Sequence, residues 1–205
     1  MSQSEQQPLK RYTAEEFLAL PDDGIRRELI DGIIYIKVEA IDDRPLGMAA
    51  PSPRHQAVSR ELTGQLWLFL KGKSCDVFAS PLDIQLSPDF AIDGTVVEPD
   101  IVVLCNLSKF DKNVYKDMPE FVIEILSPTT ARVDKIVKMK KYEQCGIREY
   151  WIVDPIKQLV FVHLLIDGKY KITEYTNKDD SIPVMVLGDC VIDLTDVFAA
   201  VDRLG

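Results

Sequence analysis

No stretch of this chain approaches the roughly 18 consecutive apolar residues of a membrane span, and residues 1–10 lack the apolar segment of a secretory signal. A soluble, cytoplasmic protein without a membrane partner is therefore expected. Paired cysteines are missing too: Cys75, Cys105, Cys145 and Cys190 are scattered with no Cys-x-x-Cys spacing, and His55 and His163 are the only imidazoles, which argues against a structural zinc site. Reduced, mostly buried thiols are the expectation. Positive charge is scarce. The formal net charge of −9 counts against non-specific coating of nucleic acid, because Lys and Arg neutralising phosphates supply most of such binding. It does not exclude an enzyme that cuts nucleic acid. Internal repeats and low-complexity tracts are likewise absent, and 205 residues with 46% hydrophobic content suit one core, read as a single domain over 12–205 behind a disordered tail, 1–11.

What is present alternates between helix and strand signals. Thr13-Ala14-Glu15-Glu16 forms a capping box that opens a short helix ended by Pro21. Arg27 to Ile30 and Ile33 to Ile36 flank Asp31-Gly32, a pair able to take the positive φ values of a two-residue hairpin turn. A loop from Lys37 to Ala50 follows. Ser52-Pro53 reads as N-cap and first position of a long helix, with Val58, Leu62, Leu66 and Phe69 on one face and Gly72 near its end. Strands are then predicted over Asp76–Ser80, Leu82–Leu86, Val96–Leu104 and Glu120–Leu126, a helix over Val133–Cys145 stopped by Gly146, and a strand over Glu149–Val153. Strand, helix, strand implies a right-handed parallel crossover. Beyond it, Leu159–Leu165, Tyr170–Tyr175, Pro183–Leu187 and Cys190–Leu194 read as a C-terminal β-meander, with a turn at Asp167-Gly168 and a last helix from Thr195.

Two carboxylates, Asp100 and Glu124, lie within the apolar strand runs. A buried carboxylate normally neutralises, pairs with a cation or binds a metal. On one continuous strand Glu98 and Asp100 would share a face, and if that strand neighbours the next, Asp100 and Glu124 meet at one end. Hard oxygen ligands of this kind suit Mg²⁺ or Mn²⁺ held by one or two carboxylates, waters and a phosphate. A lysine-rich helix follows within reach. Asp134, Lys138, Tyr142 and Cys145 make an i, i+4, i+8, i+11 stripe, which marks Lys138 as the lysine drawn inward, where it could orient or deprotonate water or stabilise charge on a phosphate. Lys135, Lys140 and Lys141 are expected to be solvated or phosphate-facing, within a basic face from Arg132 to Arg148. Ser127-Pro128-Thr129-Thr130 lacks the partners of a nucleophilic triad and is read as a cap or phosphate contact.

The ordered set Glu28-Leu29-Ile30-Asp31-Gly32, Ser52-Pro53-Arg54-His55, Glu98-Pro99-Asp100, Glu124 to Thr130, Asp134 with Lys138 and Tyr142, and Glu149 to Pro155 resembles the Uma-type restriction-endonuclease family of the PD-(D/E)XK nuclease superfamily, from about Tyr12 to Asp196. The resemblance implies an α/β (α+β) restriction-endonuclease-like core, a mixed sheet flanked by helices. It further implies a Mg²⁺- or Mn²⁺-dependent endonuclease acting on nucleic acid, DNA before RNA, with a homodimer among its assemblies. Asp100 and Glu124 would hold the metal with the carbonyl of Ile125 as a third ligand, Lys138 would assist the chemistry, and Glu28 would touch the metal through water. There are departures. Leu126 stands where the simplest superfamily pattern has its lysine, which the Uma-type variant takes from the following helix, and Glu98 stands where the family often has Gln. His55 is open to a capping, core or catalytic role, and Asp83 to a further carboxylate or a solvent-facing edge position. The competing reading is a catalytically silent nuclease-fold protein that serves as a binding or assembly module.

Overall fold

A computed structural model describes residues 10–36, 51–86, 94–127 and 133–204. The loop expected from Lys37 to Ala50 and most of the expected tail lie outside the described residues.

In chain order the elements are α1 (Ala14–Leu18), β1 (Arg27–Ile30), β2 (Ile33–Ile36), α2 (Pro53–Leu70), β3 (Asp76–Ala79), β4 (Asp83–Gln85), β5 (Val96–Val97), β6 (Ile101–Leu104), β7 (Phe110–Asp111), β8 (Val114–Tyr115) and β9 (Phe121–Ile125). A helical segment follows, a π turn over Val133–Lys138 running into α3 (Met139–Cys145). The chain closes with β10 (Glu149–Asp154), β11 (Leu159–Ile166), β12 (Lys169–Thr176), β13 (Ser181–Pro183), β14 (Val191–Asp193) and α4 (Leu194–Asp202).

Local signals set most of these boundaries. Thr13 accepts from the Glu16 amide while the Glu16 carboxylate accepts from the Thr13 amide, closing the capping box. Asp31 and Gly32 take φ values of 51° and 75°, the doubly positive pair of a hairpin turn. Ser52 caps α2 by accepting from the His55 amide, with Pro53 in the first turn. Gly146 ends α3 at φ 80°, a left-handed C-cap.

The main sheet has the order β12-β11-β10-β9-β6-β3, in which only β9 and β10 run parallel. The π turn and α3 form the crossover between them. On β9, Phe121, Ile123 and Ile125 pack with Val58, Leu62 and Leu66 of α2 and Val197 and Phe198 of α4, whereas Val122 and Leu126 join Tyr142 and Tyr150 in a second cluster on the α3 side. Glu124 has the parity of Val122 and Leu126, so its carboxylate enters the layer between sheet and α3. A second sheet, β2-β1-β5-β4-β8-β7, covers that layer, and β13 and β14 pair separately.

Four expectations are corrected. The predicted strand Val96–Leu104 is two strands in different sheets, because Glu98-Pro99-Asp100 leaves the ladder between β5 and β6. Proline has no amide to donate there, and the chain uses the break to pass from one sheet to the other. Second, the C-terminal meander is shorter than expected: β11 and β12 extend the main sheet, but Met185–Leu187 is a 3-10 turn, and the last helix is capped by Asp193, which accepts from Thr195 and Asp196. Third, β4 is an interior strand between β5 and β8, so Asp83 is not on an edge. Fourth, Cys75 and Cys105 form a disulfide, while Cys145 and Cys190 are free thiols. Register explains this: Asp76 pairs with Leu104, and the next position outward sets the two cysteines opposite each other. A separation of 30 residues gave no local cue.

Two tests of the scaffold follow. Gly94 accepts from the Gly32 amide, and a Cβ at this position would run into the Ala14 amide and the Thr13 carbonyl carbon. Gly94→Ala should cost about 1–3 kcal/mol, read as a lower denaturant midpoint at unchanged m-value. His163 is buried, its Nδ1 lying 3.2 Å from the carbonyls of both Tyr150 and Phe161, so Nδ1 carries the hydrogen. Burial holds its pKa below the usual 6.5. The unfolded chain then binds the proton more readily, so the native state should lose stability as pH falls below about 6.5, down to the depressed native value. Melting curves across that window should flatten in His163→Gln, and an unchanged slope would refute the assignment.

Candidate active site

The site forms where β6 and β9 part. Ile101 pairs with Ile123, and one residue further, beyond the end of β6, Asp100 stands across from Glu124. Having left the ladder, Asp100 substitutes its side chain for the missing backbone partner: Oδ2 accepts from the Ile125 amide at 2.7 Å. The same oxygen lies 3.2 Å from His55 Nε2. In a strand the amide and carbonyl of one residue leave on the same edge, so the Ile125 carbonyl also emerges on the Asp100 side.

Glu124 faces the helical segment. Its Oε1 accepts from Lys138 Nζ at 2.7 Å and from the Tyr142 hydroxyl at 3.0 Å. The lysine also meets Glu28 Oε1 at 2.8 Å and Asp134 Oδ1 at 3.4 Å. Glu28 in turn accepts from the Glu98 amide at 2.8 Å, tying β1 to the β5–β6 break. Lys138 is 1% exposed and Glu124 2%, so the ammonium and its carboxyl partners sit out of water. The Asp134, Lys138, Tyr142 stripe does turn inward, and the π turn carries its first half; such turns are frequent at functional sites.

Three carboxyl groups against one ammonium leave a surplus of negative charge. Desolvation raises Glu124 to about 8, assisted by Asp134, Asp100 and Glu28 and opposed by Lys138. Lys138 pays for burial as well, but its carboxylate neighbours outweigh that and lift it well above 10.5. The two upward shifts pull in opposite directions, since a protonated Glu124 holds Lys138 less strongly. They are reconciled if the ammonium is permanent and the surplus is relieved by one proton on the carboxyl side. The carboxylates around Lys138 favour its ammonium form, which suits orientation and charge stabilisation.

The other expected residues are placed as follows. Glu28 meets Lys138 Nζ and accepts from the Glu98 amide. His55 donates its amide to Ser52 Oγ and sets its ring Nε2 against Asp100, and its Nδ1 is buried with no hydrogen-bond partner among the described residues. Asp83 is half-buried and lines a cavity next to Glu98. Lys141 is buried in an ion pair with Asp31 rather than solvated, and Lys135 lies over the Phe161 ring at 5.6 Å. The expected basic face is accordingly thinner, with Lys140 and Arg148 as its exposed members; residues 128–132, which include Thr129, Thr130 and Arg132, lie outside the described residues. No local pattern marks Arg26, whose Nη2 donates to Ser80 Oγ at 2.6 Å and meets Glu98 Oε2 at 3.0 Å. Ser80 donates its amide to the Asp100 carbonyl at 2.9 Å.

A family model, Uma2, described as "Putative restriction endonuclease", matches residues 14–195. The chain belongs to the Uma2 family. A crystal structure described as a "putative nuclease belonging to DUF820" from Anabaena variabilis has the same fold, with a TM-score of 0.70 at 23% identity over 93% of this chain and 99% of that one. An uncharacterized protein of Synechocystis sp. is 25% identical over 175 residues, 84% of each chain. The expected restriction-endonuclease-like mixed architecture is thus the fold of this Uma2 member. Among the described residues no helix is long and apolar enough to cross a membrane.

Proposed function

We propose that the chain is a divalent-metal-dependent endonuclease that hydrolyses phosphodiester bonds of nucleic acid, with DNA as the favoured substrate. The observation that supports it most is the convergence of Asp100, Glu124 and Lys138, from three separate segments, on the point where β6 and β9 diverge.

The donor set fits Mg²⁺ or Mn²⁺. Two carboxylates and the Ile125 carbonyl are hard oxygen donors, and Mg²⁺ is commonly held by one or two carboxylates while keeping several waters and substrate oxygens. Among the described residues no group of three His, Cys, Asp or Glu is placed to hold a metal ion, so an ion on Asp100 and Glu124 would take its remaining ligands from the Ile125 carbonyl, water and substrate. Asp100, Glu124 and the Ile125 carbonyl would hold the ion. When bound it would neutralise charge developing on the phosphate and lower the pKa of water. Around it this chain's residues act electrostatically. The Lys138 ammonium holds one Glu124 oxygen and supplies a fixed positive charge to the reacting phosphate or the attacking water. Tyr142 donates to the same oxygen, and the Ile125 amide and His55 fix the orientation of Asp100.

One observation favours the alternative of a silent nuclease-fold binding or assembly module: Glu124 and Lys138 are sealed in their ion pair with almost no exposure. The purified protein with plasmid DNA, single-stranded DNA or RNA, in Mg²⁺, Mn²⁺ or EDTA, decides between them. Cleavage in metal and none in EDTA is expected, and no cleavage of any substrate would transfer the case to the module.

A further inference from the structure

Asp100 ends the stretch Glu98-Pro99-Asp100, which belongs to neither sheet, so no strand ladder sets its position. The backbone of this stretch is held from outside. Glu28 accepts from the Glu98 amide at 2.8 Å, and Ser80 donates its own amide to the Asp100 carbonyl at 2.9 Å. Arg26 joins these two anchors. It stands one residue before β1, and its Nη2 donates to Ser80 Oγ at 2.6 Å while lying 3.0 Å from Glu98 Oε2. A single nitrogen thus ties the residue that holds the Asp100 carbonyl to the residue two before Asp100.

We propose that Arg26 is a positioning residue for the metal ligand Asp100: by clamping Ser80 to Glu98 it fixes both ends of the break on which that carboxylate is carried. This rests on the metal site of the proposed function, and adds the residue that keeps one of its ligands in place. A cation of the Mg²⁺ class demands near-ideal octahedral geometry, so a carboxylate with a wandering backbone is a poorer ligand. Outer-shell partners that orient a ligand typically carry about 10–100-fold in metal affinity or activity. The same clamp contributes little to folding, because the Arg26 side chain is 36% exposed and an ion pair in contact with water is weak. The sign of the effect separates positioning from plain electrostatics. A positive charge near a cation site opposes cation binding, so deleting Arg26 would tighten binding if charge were all that it supplied. Loss of a positioning residue weakens binding instead.

The test uses the full chain, with Mn²⁺ binding read by calorimetry and exchange of the Ile125 amide read by NMR in EDTA. Ile125 donates to Asp100 Oδ2 at 2.7 Å, so its exchange reports the placement of that carboxylate without metal. Arg26→Gln should weaken Mn²⁺ binding by about tenfold and speed Ile125 exchange by about tenfold, at an almost unchanged denaturant midpoint. Arg26→Lys should restore most of both, because the two contacts come from one nitrogen and an ammonium also offers several hydrogens from one. Ser80→Ala keeps the backbone bond to Asp100 and should cost about threefold, the scale of one neutral hydrogen bond. Added to Arg26→Gln it should cost nothing further, since the two act through one contact. Mn²⁺ bound by Arg26→Gln as tightly as by the wild type, or tighter, overturns the proposal, and so does unaltered Ile125 exchange. Should Arg26→Gln fail to fold, Ser80→Ala still reads the clamp, and Mn²⁺ binding and Ile125 exchange both unchanged in it overturn the proposal equally. The two readings stay separate. Mn²⁺ binding that needs Asp100 and Glu124 but ignores Arg26 refutes the clamp and spares the metal site; faster Ile125 exchange in Arg26→Gln, in a chain that binds no Mn²⁺, does the reverse.

Discussion

Lys138→Met should lose about 3–5 kcal/mol of folding stability and at least about a hundredfold in metal-dependent cleavage. The stability loss follows from burial. The ammonium neutralises Glu28, Glu124 and Asp134 at distances of 2.7–3.4 Å, and removing one partner of a buried ion pair leaves uncompensated charge. The activity loss is the scale seen when a preorganised charge-stabilising donor is deleted. The two effects can be separated. Adding Glu28→Gln to Lys138→Met removes one of the orphaned carboxylates and should recover part of the stability, read by denaturant titration, with no return of cleavage. Lys135→Met is the control, because that side chain lies over Phe161 on another side of the helix; it should cost little in either assay. If cleavage returns with stability, Lys138 is only a structural ion-pair partner, and equal losses at Lys135 and Lys138 would remove it from the site altogether.

How much of this was legible in the sequence depended on the range of each signal. The capping box at Thr13, the Asp31-Gly32 turn, the Ser52-Pro53 helix start and the Gly146 stop are written within four residues of one another, and each is where expected. The inward stripe of Asp134, Lys138 and Tyr142 was legible because helical spacing fixes a face. The Val96–Leu104 run misled because apolar content does not report which sheet a strand joins, and Pro99 was the local sign of the break. Lys141 misled for a related reason: its partner Asp31 is 110 residues away, and only the packing of the first hairpin against α3 brings them together. The Cys75–Cys105 bond and the Arg26–Ser80–Glu98 contacts are also products of register. Asp100 and Glu124 were legible as carboxylates inside apolar strand runs, a choice the resemblance to the family matched, and the β6–β9 ladder sets them across from each other.

Asp100→Asn combined with Glu124→Gln should abolish Mn²⁺ binding in calorimetry and reduce cleavage below about 1% of wild type, while the fold survives. Both substitutions keep shape and leave an amide oxygen able to accept from Ile125 and Tyr142, so the hydrogen-bonded frame at the fork remains available. What they remove is negative charge, which a hard divalent cation needs from its ligands. The stability responses of the single variants should differ in an informative way. Glu124 sits in a cluster with more carboxyls than ammoniums, and burial already pushes it up to about 8, so Glu124→Gln should cost little stability even though it removes an ion-pair partner of Lys138. Asp100 lies nearer the rim, where its Oδ2 accepts from the Ile125 amide and faces His55 Nε2. Asn cannot offer an ionised oxygen to both groups, and Asp100→Asn should cost about 1–2 kcal/mol, the loss of a charge-assisted hydrogen bond. Metal binding that persists unchanged in the double variant would place the cation elsewhere in the chain, and with it the chemistry assigned to this fork.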